Sequence, residues 1–435
     1  MNDIAGVPYT EAHFDKKGKI EHAVTLPAAV TDLVVVSHGW NNNEADARQL
    51  YRTLFESFST VAQPNDLPGR TFAIVGVIWP SKKFDERIAV SGSAGDASGA
   101  ASLGENEAKS QEALEAKLDR MKEMFTEPGQ HQVLDEAKAL VADLDDKGSA
   151  RREFVDKIRS LLDPSAANKE DASDSFFADD GNELMKNLKV DEDDLDDEVA
   201  GVGGSASLPL GVGTSATVHG GAAGLKEVLS GFKAAAMNVL NYTTYFEMKA
   251  RAGTVGQIGV APLIDGLAPQ VQRIHLVGHS FGGRVVAAAA ASSANQKIAT
   301  MSLLQTAFSH NGFSKTMNGF FRAVVEQHRV NGPTLITHTK NDKAVGVAYP
   351  LASRISGDKT AAFGDENDVF GGLGRNGAQQ MEGGETIAGK LLDASGVYQF
   401  QNGKLFNLEA SDFVNGHGDV TGKEIAHAIR RAMTT

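Results

Sequence analysis

A set of short, unbroken apolar runs constrains this chain more than any other feature. Leu33-Val34-Val35-Val36-Ser37 is β-branched almost throughout and lacks the in–out alternation of a strand with one wet face. Such a run is too short for a core helix and suits a strand buried on both faces of a parallel sheet. Phe72 to Trp79 repeats the pattern and is stopped by Pro80. Ile274–Val277, Met301–Leu304, Thr334–Thr339 and Lys404–Leu408 continue it in the last third of the chain. Helical segments separate the runs: Ala45 to Phe58 with Leu50, Leu54 and Phe58 at helical spacing, the alanine-rich Arg284 to Ser293, and Thr421 to Ala432. Strands alternating with helices predict an α/β fold whose mostly parallel central sheet is flanked by helices. Near the N-terminus, Phe14 to Ile20 is expected to form a hairpin turn between two short strands.

The alternation is interrupted between residues 81 and 251, which predicts a core of residues 1–80 and 252–435 and a mainly helical insertion between them. The Gly/Ser/Ala stretch Ser91 to Gly104 reads as a hinge. Amphipathic helices are expected at about 105–125, 131–146 and 150–162, and a long helical pattern runs from Leu225 to Arg251. Between them lie the acidic run Asp191 to Glu198 and the glycine-rich link Gly201 to Gly224. The insertion is expected to act as a lid or cap, or else as a separate interaction domain.

Composition narrows the function classes. The chain has 435 residues and no cysteine, which excludes disulfides, thiolate nucleophiles and cysteine-bound zinc. Its net charge of −14 repels phosphate backbones and argues against a nucleic-acid partner. No run approaches the roughly 18 apolar residues of a membrane span, so no stable membrane insertion is expected. No signal peptide is visible, which predicts a cytoplasmic location or export by a signal-independent route. No spacing suits zinc, the acidic run lacks the pattern of a calcium loop, and no nucleotide-binding fingerprint is present, so no cofactor is expected. The oligomeric state is left open.

The chemistry gathers around Gly278-His279-Ser280-Phe281-Gly282. With 46 glycines in the chain, chance alone yields about 0.3 matches to Gly-x-Ser-x-Gly, so the motif by itself decides nothing. Its context does: it follows a buried strand directly and opens a helix, as a nucleophile elbow requires. A second motif, Ser37-His38-Gly39-Trp40, follows the Val-rich strand. Asp342 stands just beyond Thr334–Thr339, and His417 lies in the loop Phe413 to Gly418, before the last helix.

On these residues the chain resembles the α/β-hydrolase superfamily, particularly its serine esterases and lipases, over roughly residues 10–80 and 252–435. The resemblance implies an eight-stranded sheet and a triad of Ser280 (nucleophile), Asp342 (acid) and His417 (general base) in that chain order. It implies an oxyanion hole made by the backbone N–H groups of Trp40 and Phe281, with His38, Gly39 and Asn41 near the substrate. Each of Asn41, Asn42 and Asn43 can instead brace the loop or cap the next helix. His310 is the rival base, and Asp412, Asp419 and Glu409 are the rival acids. His279 is expected to pack beneath the elbow.

The expected function is carboxylic-ester hydrolysis through an acyl-enzyme, on a small-molecule or lipid ester. A phospholipase-type antibacterial effector and a catalytically idle hydrolase-like binding or scaffold protein stand beside it. Amidase, thioesterase and acyltransferase chemistry stay open, because fold alone does not separate them.

Overall fold

The computed structural model describes residues 2–63, 66–81, 103–189, 231–342, 352, 354–356 and 370–435. The chain divides into two compact units: Met1–Lys83 with Met248–Gly346 and Gly364–Thr435, and Phe84–Glu247 with Val347–Phe363.

Among the described residues, the first unit is built on nine strands: β1 (Asn2–Ile4), β2 (Val7–His13), β3 (Asp32–Ser37), β4 (Phe72–Ile78), β5 (Arg273–His279), β6 (Ile298–Leu304), β7 (Thr334–His338), β8 (Thr386–Lys390) and β9 (Leu405–Glu409). Their order is β1-β2-β4-β3-β5-β6-β7-β9-β8. Among the described strands only the β1–β2 pair is antiparallel, so the sheet is mostly parallel and the unit is α/β. That is one strand more than the resemblance implies. The expected hairpin at Phe14–Ile20 reduces to a single bridge between those two residues. The hairpin lies earlier, between β1 and β2, where Ala5 and Gly6 both take positive φ. Two consecutive left-handed residues match the twist that a two-residue hairpin needs.

Both faces of the sheet are covered, which is why the central strands could be apolar throughout. Val34 and Val36 on β3, with Ile74 and Ile78 on β4, pack into one cluster with Tyr51, Leu54, Phe55, Ala428 and Ile429. Those partners come from the Glu44–Thr60 and Lys423–Met433 helices. By the alternation of strand side chains, Leu33 and Val35 point to the other face. The Phe281–Ser292 helix packs on β5, β3 and β6, and it is buried from Phe281 to Ala290. Residues 255–260 cross it so closely that a Cβ on Gly256 would fall 2.3 Å from the Val285 carbonyl oxygen.

The strand order reverses beside β3. The chain passes from β3 to β4 on one side, and its next sheet strand, β5, pairs with β3 on the other. The carboxyl ends of β3 and β5 therefore open a crevice at a topological switch point, where open α/β sheets bind their ligands.

The described residues of the second unit are helical, with helices at Leu103–Met121, Gln130–Ala139, Gly148–Arg159, Ser173–Ala178 and Gly181–Asn187, and the start of Gly231–Thr254. Leu114, Leu118, Phe154, Phe176 and Tyr242 are buried there. The acidic run, the glycine-rich link and most of the expected hinge lie outside the described residues. Among the described residues, no helix is long and apolar enough to cross a membrane, and no cluster of His, Asp and Glu could hold a metal ion.

Candidate active site

The site is assembled at the carboxyl edge of the sheet, from residues just past the ends of β3, β4, β5, β7 and β9. Ser280 follows β5 and takes φ +55 and ψ −126, a backbone state that side chains rarely adopt. Glycine permits the sharp turn. A Cβ on Gly278 would fall 2.4 Å from the Gly282 carbonyl oxygen, and one on Gly282 would fall 2.1 Å from that of Ser37. The Ser280 N–H donates to the Leu304 carbonyl on β6, and its own carbonyl accepts from the Gly283 and Ala307 amides. Ser280 is buried within a fully bonded backbone.

The loop after β3 presses directly on this turn. A Cβ on Gly39 would come 2.5 Å from the Ser280 Cβ and 3.0 Å from its Oγ. Only a glycine lets the His38–Trp40 backbone approach so closely. The Trp40 and Phe281 rings touch, with centroids 6.0 Å apart, which brings together the two residues expected to supply N–H donors.

His38 is a brace within this loop. It is buried, its ring stacks on Trp79 at 5.6 Å, and its Nδ1 lies 2.9 Å from the Gly39 carbonyl oxygen. Its backbone N–H donates to the Tyr51 hydroxyl, which donates on to the Val77 carbonyl. Burial lowers the His38 pKa to about 4, so the ring is neutral near pH 7.

The three asparagines divide the remaining work. Asn43 caps the Glu44–Thr60 helix in a reciprocal capping box with Asp46. Asn42 Nδ2 donates to the Gly39 carbonyl at 3.2 Å. Asn41 takes φ +64 and donates its N–H to the Ser81 carbonyl. Its Oδ1, like Trp40 Nε1, is buried without a partner among the described residues.

Asp342 and His417 meet across 75 residues of sequence, with Oδ2 2.8 Å from Nδ1. Both are buried. The competing carboxylates are engaged elsewhere: Asp419 accepts from the Asn415 N–H, Glu409 from the Ser411 N–H, and Asp412 pairs with Lys390. His310, the alternative base, lies against Asn376. No hydrogen bond joins Ser280 to the His417 ring among the described residues.

No protein-family model, curated protein or solved structure matches this chain.

The support that Trp79, Ser81 and Tyr51 lend to the His38 loop carries no motif in the sequence. Trp79 Nε1 donates to the His38 carbonyl, and Ser81 Oγ donates to that of Asn42. The available signal was position: Trp79-Pro80-Ser81 follows β4, the strand beside β3. His279 does more than pack beneath the elbow. Its Nε2 lies 2.8 Å from the His417 carbonyl oxygen, and burial, reinforced by the neighbouring His417, lowers its pKa to about 3.

Proposed function

We propose that the protein is a serine hydrolase that cleaves carboxylic esters through an acyl-enzyme. The observation that carries this reading is the buried Asp342–His417 pair, held against the turn that bears Ser280. A carboxylate can only accept, so Asp342 fixes the proton on His417 Nδ1 and leaves Nε2 basic. That tautomer can take the Ser280 proton as Oγ attacks the ester carbonyl. The Trp40 and Phe281 amides then receive the negative oxygen of the tetrahedral intermediate, typically worth several kcal/mol of barrier. His417 returns the proton to the leaving alcohol, and water repeats the sequence on the acyl-enzyme. In this scheme His38 and Gly39 shape the oxyanion loop, and Asn41 continues that loop beside the substrate.

The strand order supports the same reading, since it puts the turn at the switch-point crevice. The substrate range extends to lipid esters, and a phospholipase-type effector is the variant to test within it. A second reading, an idle hydrolase-like scaffold, draws on the missing Ser280–His417 hydrogen bond. On the esterase reading that bond tightens when substrate arrives, as catalytic hydrogen bonds often do.

Turnover of a chain-length series of chromogenic esters, set beside phospholipid vesicles, tests these readings. Wild type should turn over esters and Ser280→Ala should not, with the same circular dichroism. Equal hydrolysis by both proteins refutes the assignment. A wild type that neither turns over esters nor reacts with a fluorophosphonate probe supports the scaffold reading.

A further inference from the structure

We infer that His279 is the positioning residue of the His417 loop, a neutral clamp that ties the candidate general base to the strand carrying Ser280. The inference rests on the serine-hydrolase reading for its catalytic consequence, but the clamp itself stands on geometry. His279 is the last residue of β5, so the sheet fixes its backbone. Its Nε2 lies 2.8 Å from the His417 carbonyl oxygen, and the two rings lie 4.9 Å apart. Among the described residues, no backbone N–H reaches that carbonyl.

The rest of the loop is anchored elsewhere. Asn341 Nδ2 donates to the Val414 carbonyl at 2.9 Å, and the Asn415 N–H donates to Asp419. The first contact holds the start of the loop, and the second closes a turn around His417. The His279 contact fixes the His417 backbone relative to Ser280, one residue from the clamp, while Asp342 orients the ring.

The chemistry of the contact sets the state of the clamp. A carbonyl only accepts, so Nε2 of His279 carries the proton and donates. Its Nδ1 is then a bare lone pair, buried and without a partner among the described residues. A second proton there would find no acceptor, so the ring works as a donor without charge. The groups facing it are the His417 ring, His38 from the loop after β3, and, beyond His417, Asp342. Absence of charge matters because the proposed mechanism makes His417 an imidazolium, and a cation in van der Waals range would oppose it. Lysine or arginine could supply the hydrogen bond but not the neutrality.

The test compares wild type with His279→Gln, whose amide reaches as far as Nε2, and His279→Asn, whose amide falls short. Two readouts are taken: the downfield NMR signal of the His417 Nδ1 proton, and the rate of Ser280 labelling by a fluorophosphonate. For His279→Asn the NMR signal should broaden or vanish and labelling should slow about 100-fold, the usual effect of misplacing a reacting group by an ångström. His279→Gln should keep the signal and label within about tenfold of wild type. A folded Asn variant with unchanged signal and rate overturns the clamp, as does a folded Gln variant that has lost the signal. If wild-type Ser280 resists the probe, the hydrolase reading fails while the NMR signal still decides the clamp.

Discussion

Gly39 lies so close to Ser280 that a Cβ added to it would come 2.5 Å from the serine Cβ. Neither side of this contact can yield cheaply, because the Ser280 backbone is bonded to β6 and the Gly39 carbonyl to Asn42. Gly39→Ala is therefore expected to push the two segments apart, with a stability loss of about 1–3 kcal/mol. Under the proposed mechanism, ester hydrolysis should fall by about 100-fold or more, as a displaced N–H donor would cause. Denaturant unfolding and initial rates measure the two effects, and wild-type values for both would contradict the close approach.

The backbone of Ser280 stores strain at φ +55. Replacing the side chain by hydrogen removes that strain, so Ser280→Gly should be more stable than Ser280→Ala by about 1 kcal/mol. Neither variant should turn over ester. Chemical denaturation of the pair reads the difference, and a less stable glycine variant would argue against the turn.

Asp342→Asn keeps the shape of the acid but lets the wrong His417 tautomer form. Under the proposed mechanism, kcat should drop by about 10³- to 10⁴-fold with the fold intact. Asp412→Asn, which breaks only an exposed pair with Lys390, should change kcat little. Comparable losses from both would place the acid elsewhere.

Two buried histidines make stability depend on pH. Burial holds His38 at about 4 and His279 at about 3, whereas an unfolded chain protonates histidine near 6.5. The unfolded state binds more protons below that value, so stability is full above about pH 6.5 and declines as pH falls toward 4 and then 3. Burial alone would push the Asp32 carboxyl up, yet bonds from His275, Arg70 and Thr31 hold it well below the ordinary value, and its loss steepens the decline at the acid end. His38→Asn should unfold more easily at pH 7 but show a shallower fall between pH 6.5 and 4. Denaturation midpoints across that range test the point, and parallel slopes would refute it.

At the opposite edge of the sheet from the candidate site, Asp32 accepts from Arg70 Nε at 3.0 Å and lies 3.1 Å from His275 Nε2, with no access to solvent. Asp32→Ala removes the buried carboxylate that pairs with the half-buried Arg70 guanidinium and should destabilise the protein by about 3 kcal/mol. Activity per folded molecule should be preserved. A selective loss of kcat in stable protein would give this cluster a role beyond the fold.

The central strands were legible because burial on both faces leaves a continuous apolar run, and β3, β4, β5, β6, β7 and β9 each lie within a few residues of their expected places. The edge strand β8 was not: Thr386 to Lys390 is largely exposed and lacks alternation, and its conformation depends on pairing with β9. The short helices Ser173–Ala178 and Gly181–Asn187 are not legible either, since one or two turns carry too few residues to show a period.

Sequence alone determined the chemical inventory: a serine in a glycine turn between strand and helix, a His-Gly pair after a buried strand, and an Asp and a His beyond later strands. Local spacing expresses these features because strand, turn and helix signals reach only a few residues. The tertiary structure alone decided which carboxylate meets His417, which asparagine caps a helix and which braces the loop, and that His279 holds the His417 carbonyl. Those pairings close loops of up to 138 residues, and only packing of the whole sheet brings such distant groups within hydrogen-bond reach.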